Sequence, residues 1–318
     1  MSAPGRPSSR WLAVVGPTGS GKSELAVQLA ERLGGEVVST DSMQVYRGFD
    51  IGTAKPAAAL RARAPHHLID VTEPDQPYSA GRYVADATSV IARLEAQGRV
   101  PVLCGGTGLY FRALLFGLAE IPEIPAAVRE RVVELVAGQG SEAGHQELAR
   151  HDPRAAERLH PHDSARIMRA LEVVLATGET IETFRRRRPF QREAAHVFSV
   201  GYRWERAELY GAIDRRVARM LEQGWVAEVS GLLASGVGPA LKPMRSIGYR
   251  EICALLAGER AEPGLAQAIA QRTRHYAKRQ HTWFNRHPDI FWSAPGHAGP
   301  ILQQARNFLK TGSREPND

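Results

Sequence analysis

Cysteine is nearly absent from this sequence, and so are long apolar runs. Two cysteines occur among the 318 residues, Cys104 and Cys253, without the paired spacing that zinc sites and redox motifs need. We therefore expect neither a disulfide framework nor a zinc finger. No apolar run approaches the roughly 20 residues that cross a bilayer, and residues 1–10 lack the apolar stretch of a secretory signal. The expectation is a globular protein of the cytoplasm that is not associated with a membrane.

Acidic residues are in the minority, because 34 Asp and Glu stand against 41 Lys and Arg, for a net charge of +7. An excess of this size is compatible with an anionic partner. The positive charge is concentrated in the second half of the chain, in Ile181 to Arg192 and in Ala270 to Ile290. A run such as Arg185 to Arg188 is usually a solvated segment, but it would also suit contacts with RNA phosphates.

Apolar runs alternate with helical patterns in the first third of the chain. The run Trp11 to Val15 precedes a glycine-rich turn, and apolar residues then recur at helical spacing from Ser23 to Leu33. Two further strand-like runs are Glu36 to Ser39 and Val100 to Cys104, and the second leads through a glycine turn into another helical stretch. This alternation predicts an α/β fold with a parallel sheet.

Strand-like runs disappear from about Gly117 until Val197 to Val200. The segments between have helical patterns, so we predict an all-helical insertion domain over residues 117–197, at Ala126 to Ala137, Gln146 to Arg150 and Ser164 to Ala176. The core then comprises residues 1–116 and residues 198–318. Its second part is predicted to end in a polar tail rich in glycine, proline and charge, after four helices at Arg206 to Gln223, Trp225 to Ala234, Tyr249 to Ala257 and Leu265 to Phe284.

An eight-residue motif links the first predicted strand to the first predicted helix. It matches G-x-x-x-x-G-K-[ST] and consists of Gly16, Pro17, Thr18, Gly19, Ser20, Gly21, Lys22 and Ser23. Its glycines let backbone N–H groups turn towards phosphate oxygens, Lys22 adds a point charge, and Ser23 is suited to ligating Mg²⁺. The motif predicts a P-loop NTPase-like core that binds phosphates. Kinases, ATPases, GTPases and other transferases share it, so it does not identify the reaction.

The run from Asp41 to Pro56 helps to distinguish among these classes of enzyme. Together with the phosphate loop, it resembles the tRNA dimethylallyltransferase family, also called tRNA isopentenyltransferases. Further blocks resemble this family in order and spacing, namely Pro65 to Val71, Tyr78 to Gly81, Gly105 to Tyr110, Arg166 to Val173, Gly248 to Ile252, and Tyr276 to Gln280 with Trp283. The resemblance implies transfer of a dimethylallyl group from dimethylallyl diphosphate to the exocyclic N6 amine of the adenosine adjacent to the anticodon in tRNA, giving N6-isopentenyladenosine and diphosphate.

Asp41 follows the second predicted strand, at the edge where ligands of open parallel sheets bind. A carboxylate there would remove the proton of the adenine amine while the carbon–nitrogen bond forms. From the residues alone, an equally good interpretation is that Asp41 caps the turn, or orients Ser23 and Mg²⁺. The resemblance to the family favours the catalytic base.

The leaving diphosphate needs N–H donors and positive charge around its oxygens, and we expect Lys22 and Mg²⁺ to supply the charge. By resemblance, Thr107 on the turn after the third strand is a catalytic contact of the diphosphate or nucleotide. Its hydroxyl would equally bond the backbone of its own turn. The resemblance also points to Arg216 as a diphosphate contact, with Arg215 and Arg219 as alternatives.

A helix over Gln271 to Phe284 would carry basic and aromatic side chains on adjoining faces, which suits single-stranded RNA. Trp283 is the exception, because a tryptophan there is more often part of a core. By resemblance, the residues that contact tRNA are Asp41, Ser42, Met43, Gln44, Thr107, Arg166, Arg169, Arg245, Gly248, Tyr249, Arg250, Lys278, Arg279 and Gln280. The insertion domain would then meet the anticodon stem-loop.

Two other functions fit the motifs in part. A P-loop kinase for a small acceptor would use Asp41 as its base, although a basic and aromatic helix is superfluous for such an acceptor. An ATP-dependent RNA-binding protein would use the phosphate loop as a switch. We expect a monomer that binds Mg²⁺ and nucleotide, with tRNA and dimethylallyl diphosphate as its partners.

Overall fold

The computed structural model describes residues 10–187, 196–287 and 289–312. Its strands are β1 (Arg10–Val14), β2 (Gly35–Ser39), β3 (His66–His67), β4 (Val100–Cys104), β5 (His196–Tyr202) and β6 (Ile290–Ser293). They form one six-stranded sheet in the order β3-β2-β4-β1-β5-β6, and every neighbouring pair is parallel. The predicted α/β class with a parallel sheet is confirmed.

The helices before the middle of the chain are α1 (Lys22–Leu33), α2 (Ala58–Arg63), α3 (Ala80–Ala96), α4 (Gly108–Phe116), α5 (Ala126–His151), α6 (Pro153–Arg158), α7 (Ser164–Thr177) and α8 (Ile181–Arg187). Those that follow are α9 (Arg206–Glu222), α10 (Trp225–Ala234), α11 (Tyr249–Leu256), α12 (Leu265–Phe284) and α13 (Ala298–Thr311). The ends of α10, α12 and β4 agree with the predicted ends. None of the helices in the described ranges has the length and apolar character needed to span a membrane.

The sheet separates two apolar layers, and the alternation of side chains along β1 shows why. Leu12 and Val14 pack on one side, against α1 and α13, while Ala13 and Val15 belong to the cluster on the other side. Successive side chains of a strand point to opposite faces, so a strand buried on both faces is apolar throughout. This explains why the run Trp11 to Val15 is unbroken rather than alternating.

The chain divides into two compact units, Phe116–Glu193 and the remainder, Met1–Leu115 with Ala194–Asp318. The smaller unit contains α5 to α8 and falls on the stretch for which a helical insertion is predicted. It has a core of its own, which includes Val132, Leu148, Ile167 and Leu171. Helix α5 covers both of the first two predicted helical segments, and only Gly140, at φ 87° and ψ 166°, departs from helical geometry within it.

The predicted polar tail is wrong over residues 290–311. There the chain adds β6, which pairs with β5 at the edge of the sheet, and the 14-residue helix α13. The glycines and prolines between these elements interrupt the apolar pattern and conceal it in the sequence. The pattern itself is helical, because the buried residues of α13 recur on one face, at Ile301, Leu302, Ala305 and Phe308.

The sheet order determines where the site forms. Strands β2, β4 and β1 are adjacent and parallel, so their carboxyl ends lie at one edge. The phosphate loop leaves β1 at this edge, Asp41 follows β2, and Thr107 follows β4. Ligands of open parallel sheets bind in the crevice outside such carboxyl ends.

Candidate active site

The phosphate loop, residues 16–23, runs from β1 into the first turn of α1. Gly19 and Gly21 have φ of 82° and 86°, a left-handed conformation that strains residues with a side chain. At Gly19 a Cβ would also stand 3.0 Å from a side-chain carbon of Ile213 in α9. The loop therefore places its N–H groups at a helix N-terminus, which is a favourable position for an anion.

Lys22 lies over this loop, with Nζ donating a hydrogen bond of 2.5 Å to the carbonyl of Pro17. Burial lowers the pKa of Lys22 to about 8; the neighbouring charge of Arg216 adds to this shift, while Cys104 and Asp41 oppose it. The ammonium is thus poorly solvated and close to a second cation. An anion between these two cations would favour their charged forms.

Asp41 caps its turn and also lines the cavity over the phosphate loop. Its Oδ1 accepts hydrogen bonds from the backbone N–H groups of Met43, at 2.8 Å, and Gln44, at 3.3 Å, so the carboxylate does cap the turn. Asp41 also lines the cavity that contains Lys22 and Ser23. Both hydrogen bonds end on Oδ1, and within the described parts of the chain Oδ2 has no hydrogen-bond partner. One carboxylate can therefore cap with one oxygen and face a ligand with the other.

Thr107 ties two loops together. Its Oγ1 accepts a hydrogen bond of 3.1 Å from the N–H of Ser42, and its own N–H donates to the carbonyl of Thr40 at 3.3 Å. The hydroxyl thus bonds the backbone beside Asp41 rather than that of its own turn. Thr107 supports the loop that carries Asp41, which we call the second loop, residues 41–56.

Three cavities meet at Arg216. The inner cavity, of about 100 Å³, lies over the phosphate loop and is lined by Lys22, Ser23 and Asp41. The first outer cavity, of about 360 Å³, extends along the second loop and α12, and the second outer cavity, of about 860 Å³, extends along α2 and α9. Arg216 lines all three, whereas Arg219 lines only the second outer cavity and Arg215 none of them. Burial lowers the pKa of Arg216, and the charge of Asp41 raises it.

Apart from Thr107, the residues predicted to contact tRNA fall into four groups. Ser42, Met43, Arg245 and Arg279 line the first outer cavity together with Asp41. The side chains of Arg250 and Lys278 are exposed on the same unit. Exposed Arg166 and Arg169 belong to the smaller unit, where they form ion pairs of 3.3 Å with Asp163 and 3.2 Å with Glu172.

The fourth group lies in the walls of the site, where Gln44 is half-buried and the others are buried. Gly248 and Tyr249 begin α11, where the Tyr249 side chain is 0% exposed and its hydroxyl donates to Glu228 Oε1 at 2.6 Å. Gln44 uses its amide inside the second loop, donating to the carbonyls of Thr53 and Ala54. Gln280 is only 6% exposed. These side chains support the walls of the site, and their contact with RNA stays a prediction.

Helix α10 holds the second loop from outside, which the sequence analysis missed. Glu228 Oε2 accepts hydrogen bonds from the N–H groups of Asp50, at 3.0 Å, and Ile51, at 2.7 Å. The ring of Trp225 lies so close to the loop that a Cβ on Gly52 would stand 2.3 Å from it. No local signal in the sequence connects these residues, because about 175 positions separate helix and loop.

Tyr276 is a further residue of the site, which the sequence analysis named only within the family-like block Tyr276 to Gln280 and not among the site residues. It lines both the inner and the first outer cavity. Burial raises its pKa, the charge of Asp41 adds to the rise, and hydrogen bonds with the side chains of Thr107 and Gln280 oppose it. Its place on α12, one turn before Gln280, is the signal that was available.

A metal at this site would be held by few protein groups. No cluster of three or more His, Cys, Asp or Glu that could hold a metal ion occurs in residues 10–187, 196–287 and 289–312. Ser23 and Asp41 are among the oxygen-bearing side chains that line the inner cavity together with Lys22. Mg²⁺ commonly uses one or two protein oxygens together with phosphate oxygens and water. The residues present therefore fit a Mg²⁺ ion that arrives with a phosphate ligand.

Comparison with known proteins gives matches over nearly the whole chain. The IPP transferase family model matches residues 44–287, and the isopentenyl transferase family model matches residues 10–73. The tRNA dimethylallyltransferase 2 of Geotalea uraniireducens is 51% identical and covers 91% of this chain and 93% of its own. The tRNA dimethylallyltransferase of Geobacter sulfurreducens is 48% identical, with coverage of 95% and 97%.

Solved structures of the same kind of enzyme also match this chain. The full-length tRNA isopentenylpyrophosphate transferase of Bacillus halodurans is 35% identical, has a TM-score of 0.69 and covers 96% of both chains. A eukaryotic dimethylallyltransferase, captured in crystallographic snapshots acting on tRNA, has a TM-score of 0.83 over 98% of this chain and 82% of its own. At 23% identity the second likeness is one of fold.

Proposed function

The chain belongs to the IPP transferase family, and we propose that it transfers a dimethylallyl group from dimethylallyl diphosphate to the N6 amine of the adenosine beside the anticodon of a tRNA. The resemblance drawn from the sequence motifs is thereby confirmed. The observation that carries the reaction is the inner cavity, where a phosphate loop, a buried arginine and an aspartate meet. The relatives are named as prenyltransferases, so neither the small-molecule kinase nor the ATP-driven switch is favoured.

The phosphate loop and two cations stabilise the leaving group. When the bond between the allylic carbon and oxygen breaks, negative charge builds up on the diphosphate. Backbone N–H groups of the phosphate loop from Gly19 onward, together with Lys22 and Arg216, would surround the place where this charge develops, and they are fixed before the reaction begins. Ser23 would hold Mg²⁺, and the ion when bound would neutralise part of the diphosphate charge. Nucleotide binding at the same loop remains a prediction.

Asp41 acts on the acceptor. As the N6 nitrogen forms its bond to the allylic carbon, the carbon–oxygen bond breaks, diphosphate leaves, and the N6 proton passes to the carboxylate of Asp41. The cap on Oδ1 fixes the carboxylate, and Oδ2 is the oxygen that remains for the proton. Thr107 holds the backbone at Ser42 and keeps this geometry.

The adenosine reaches the inner cavity through the first outer cavity. Its walls combine Arg245 and Arg279, which suit phosphates, with Tyr276, which suits a flat base. Flipping the adenosine out of its stack costs a few kcal/mol, and least in a loop. Arg250 and Lys278 extend this basic surface, and Arg166 and Arg169 of the smaller unit bind the anticodon stem. We expect a monomeric cytoplasmic enzyme, which light scattering and cell fractionation would check.

The proposal is tested by transfer of label from dimethylallyl diphosphate to unmodified tRNA, with Mg²⁺ and without ATP. Asp41→Asn separates the two roles of Asp41, because an amide oxygen still caps the turn but cannot accept the proton. We expect the wild type to label tRNA, and Asp41→Asn and Asp41→Ala to lose about a hundredfold or more of the rate. Near-normal turnover by Asp41→Asn would leave only the capping role, and unlabelled tRNA with wild type would contradict the proposed function.

A further inference from the structure

We propose that Gln280 is a positioning residue that links the diphosphate half of the site to the acceptor half, an inference that rests on the proposed function. Its Oε1 accepts a hydrogen bond of 2.8 Å from the N–H of Thr18 in the phosphate loop. Its Nε2 donates one of 2.9 Å to the carbonyl of Gly106, on the turn after β4. A single side-chain amide of α12 thus bridges two turns that follow different strands.

Each end of this bridge continues into reacting groups. On the diphosphate side, Thr18 follows Pro17, whose carbonyl accepts the hydrogen bond from Lys22. On the acceptor side, Gly106 precedes Thr107, whose backbone and hydroxyl hold the residues on either side of Asp41. The groups that would bind the leaving diphosphate and the group that would take the proton are therefore connected through Gln280.

The packing around the amide is specific for a residue of this shape. A Cβ on Gly106 would stand 2.1 Å from Nε2 of Gln280, so glycine is required there for the amide to reach the carbonyl. Gln280 is 6% exposed, and the hydroxyl of Tyr276 contacts it from the preceding turn of α12. A buried amide with both ends bonded within the protein is poorly placed to bind RNA, although its neighbours Lys278 and Arg279 are exposed.

The bridge matters because prenyl transfer needs the N6 nitrogen and the allylic carbon about 3–3.5 Å apart and in line. The bound diphosphate fixes the position of the allylic carbon, and the second loop fixes the position of the amine. A shift of one loop relative to the other therefore changes the distance between the two reacting atoms directly. A misplacement of about 1 Å is known to cost roughly a hundredfold in rate. Loss of the bridge should therefore lower the rate of transfer while leaving the affinity for tRNA unchanged.

The test compares Gln280→Met, which keeps the length of the side chain and removes both hydrogen bonds, with Gln271→Met, an exposed glutamine on the same helix. Single-turnover transfer, equilibrium binding of tRNA and the unfolding midpoint are measured for each. For Gln280→Met we expect a rate reduced roughly 10- to 100-fold and a Kd for tRNA within about twofold of wild type. Gln271→Met should match wild type in all three.

Gly106→Ala supplies a second route if Gln280→Met folds poorly. Its methyl group would displace the amide of Gln280, so it should lower the rate about as much, and the double variant should be no slower than either single one. Three results would overturn the bridge. The first is a loss of rate in the double variant that equals the sum of the two single losses on a logarithmic scale. The others are a normal rate in Gln280→Met, or a weakened affinity for tRNA with an unchanged rate of transfer to bound tRNA. Failure of the proposed function would be recognised separately, because the wild-type protein would then transfer no prenyl group in the same assay.

Discussion

The two loops that face the inner cavity keep their shapes by opposite means. The phosphate loop depends mainly on its own backbone, since Gly19 and Gly21 adopt left-handed backbone angles and Lys22 bonds the carbonyl of Pro17. Two distant side chains add to this, because Gln280 accepts from the N–H of Thr18 and Trp204 donates to the carbonyl of Ser20. The second loop depends on distant residues, above all Glu228 and Thr107. A loop that binds one invariant group, a diphosphate, can take most of its shape from its own backbone. One that receives part of a large RNA is positioned by several elements of the fold.

The largest effect on the rate of transfer is expected at the phosphate loop. Lys22→Met removes a fixed positive charge from the leaving group, and losing one such stabilising group typically costs a factor of about 100–1,000 in rate. Single-turnover transfer with saturating tRNA measures the loss, and the Kd for tRNA should stay unchanged because Lys22 faces the diphosphate. A normal rate would show that N–H groups and Arg216 suffice. Lys278→Met, on the exposed basic surface, is the contrasting variant, expected to weaken tRNA binding and spare the rate.

The same lysine gives a pH dependence. Its pKa of about 8 in the free protein means that Lys22 is charged below pH 8 and increasingly neutral above it. Binding of dimethylallyl diphosphate requires the charged form, so the affinity should be constant below pH 8 and fall by up to about tenfold per pH unit above it. Calorimetric titration between pH 6.5 and 9.5 measures this. Lys22→Met should bind weakly at every pH, without the break near pH 8, and an unchanged break in that variant would assign it to another group.

A smaller effect, and one that reaches stability, is expected at the second loop. Glu228→Ala leaves the N–H groups of Asp50 and Ile51 without their charged acceptor, at a cost of about 1.5–3 kcal/mol. The shifted loop should also reduce kcat/KM for tRNA about tenfold, with the Kd for dimethylallyl diphosphate unchanged. Denaturant unfolding and steady-state kinetics test both. Glu222→Ala, an exposed glutamate on α9, is the matched control, and identical behaviour of the two variants would remove the proposed support from α10.

The smallest effect is expected at the exposed arginines of the smaller unit. Arg166→Ala and Arg169→Ala would each remove one proposed phosphate contact, and each removes a surface ion pair worth at most about 1 kcal/mol. We expect the tRNA Kd to rise by roughly threefold to tenfold, and the slope of log Kd against log salt concentration to fall by about one. Filter binding across salt concentrations measures both. Arg154→Ala, elsewhere on the same unit, is the control. If the salt slope of Arg166→Ala and Arg169→Ala is unchanged and equals that of the control, these two residues are not part of the RNA surface.

The difference between the loops also explains how far the sequence could be interpreted. The phosphate loop is a local pattern between β1 and α1, so its place between strand and helix could be predicted from eight residues. Asp41 could be placed at the sheet edge, because β2 ends just before it. The sequence could not reveal that Asp41 caps its turn with Oδ1 and leaves Oδ2 free of that cap, since the cap depends on the exact turn that Met43 and Gln44 adopt.

Long-range contacts account for most of what the sequence did not reveal. Gln280 meets Thr18 across 262 positions, and Glu228 meets Asp50 across 178. Such pairs leave no periodic signal in a single sequence. The edge strand β6 and the helix α13 were missed for a different reason, because glycine and proline between them suggested a tail. The buried positions of Tyr249 and Gln280 likewise depend on packing that no local pattern encodes.

The central claim is that the two loops bring a prenyl diphosphate and one adenosine of tRNA together in the inner cavity. The most direct measurement is nucleoside analysis of unmodified tRNA after incubation with the wild-type protein, dimethylallyl diphosphate and Mg²⁺, followed by nuclease mapping. The account predicts N6-isopentenyladenosine at the position beside the anticodon and nowhere else, formed without ATP. Unmodified adenosine at that position, or a prenyl group on another nucleoside, would contradict it.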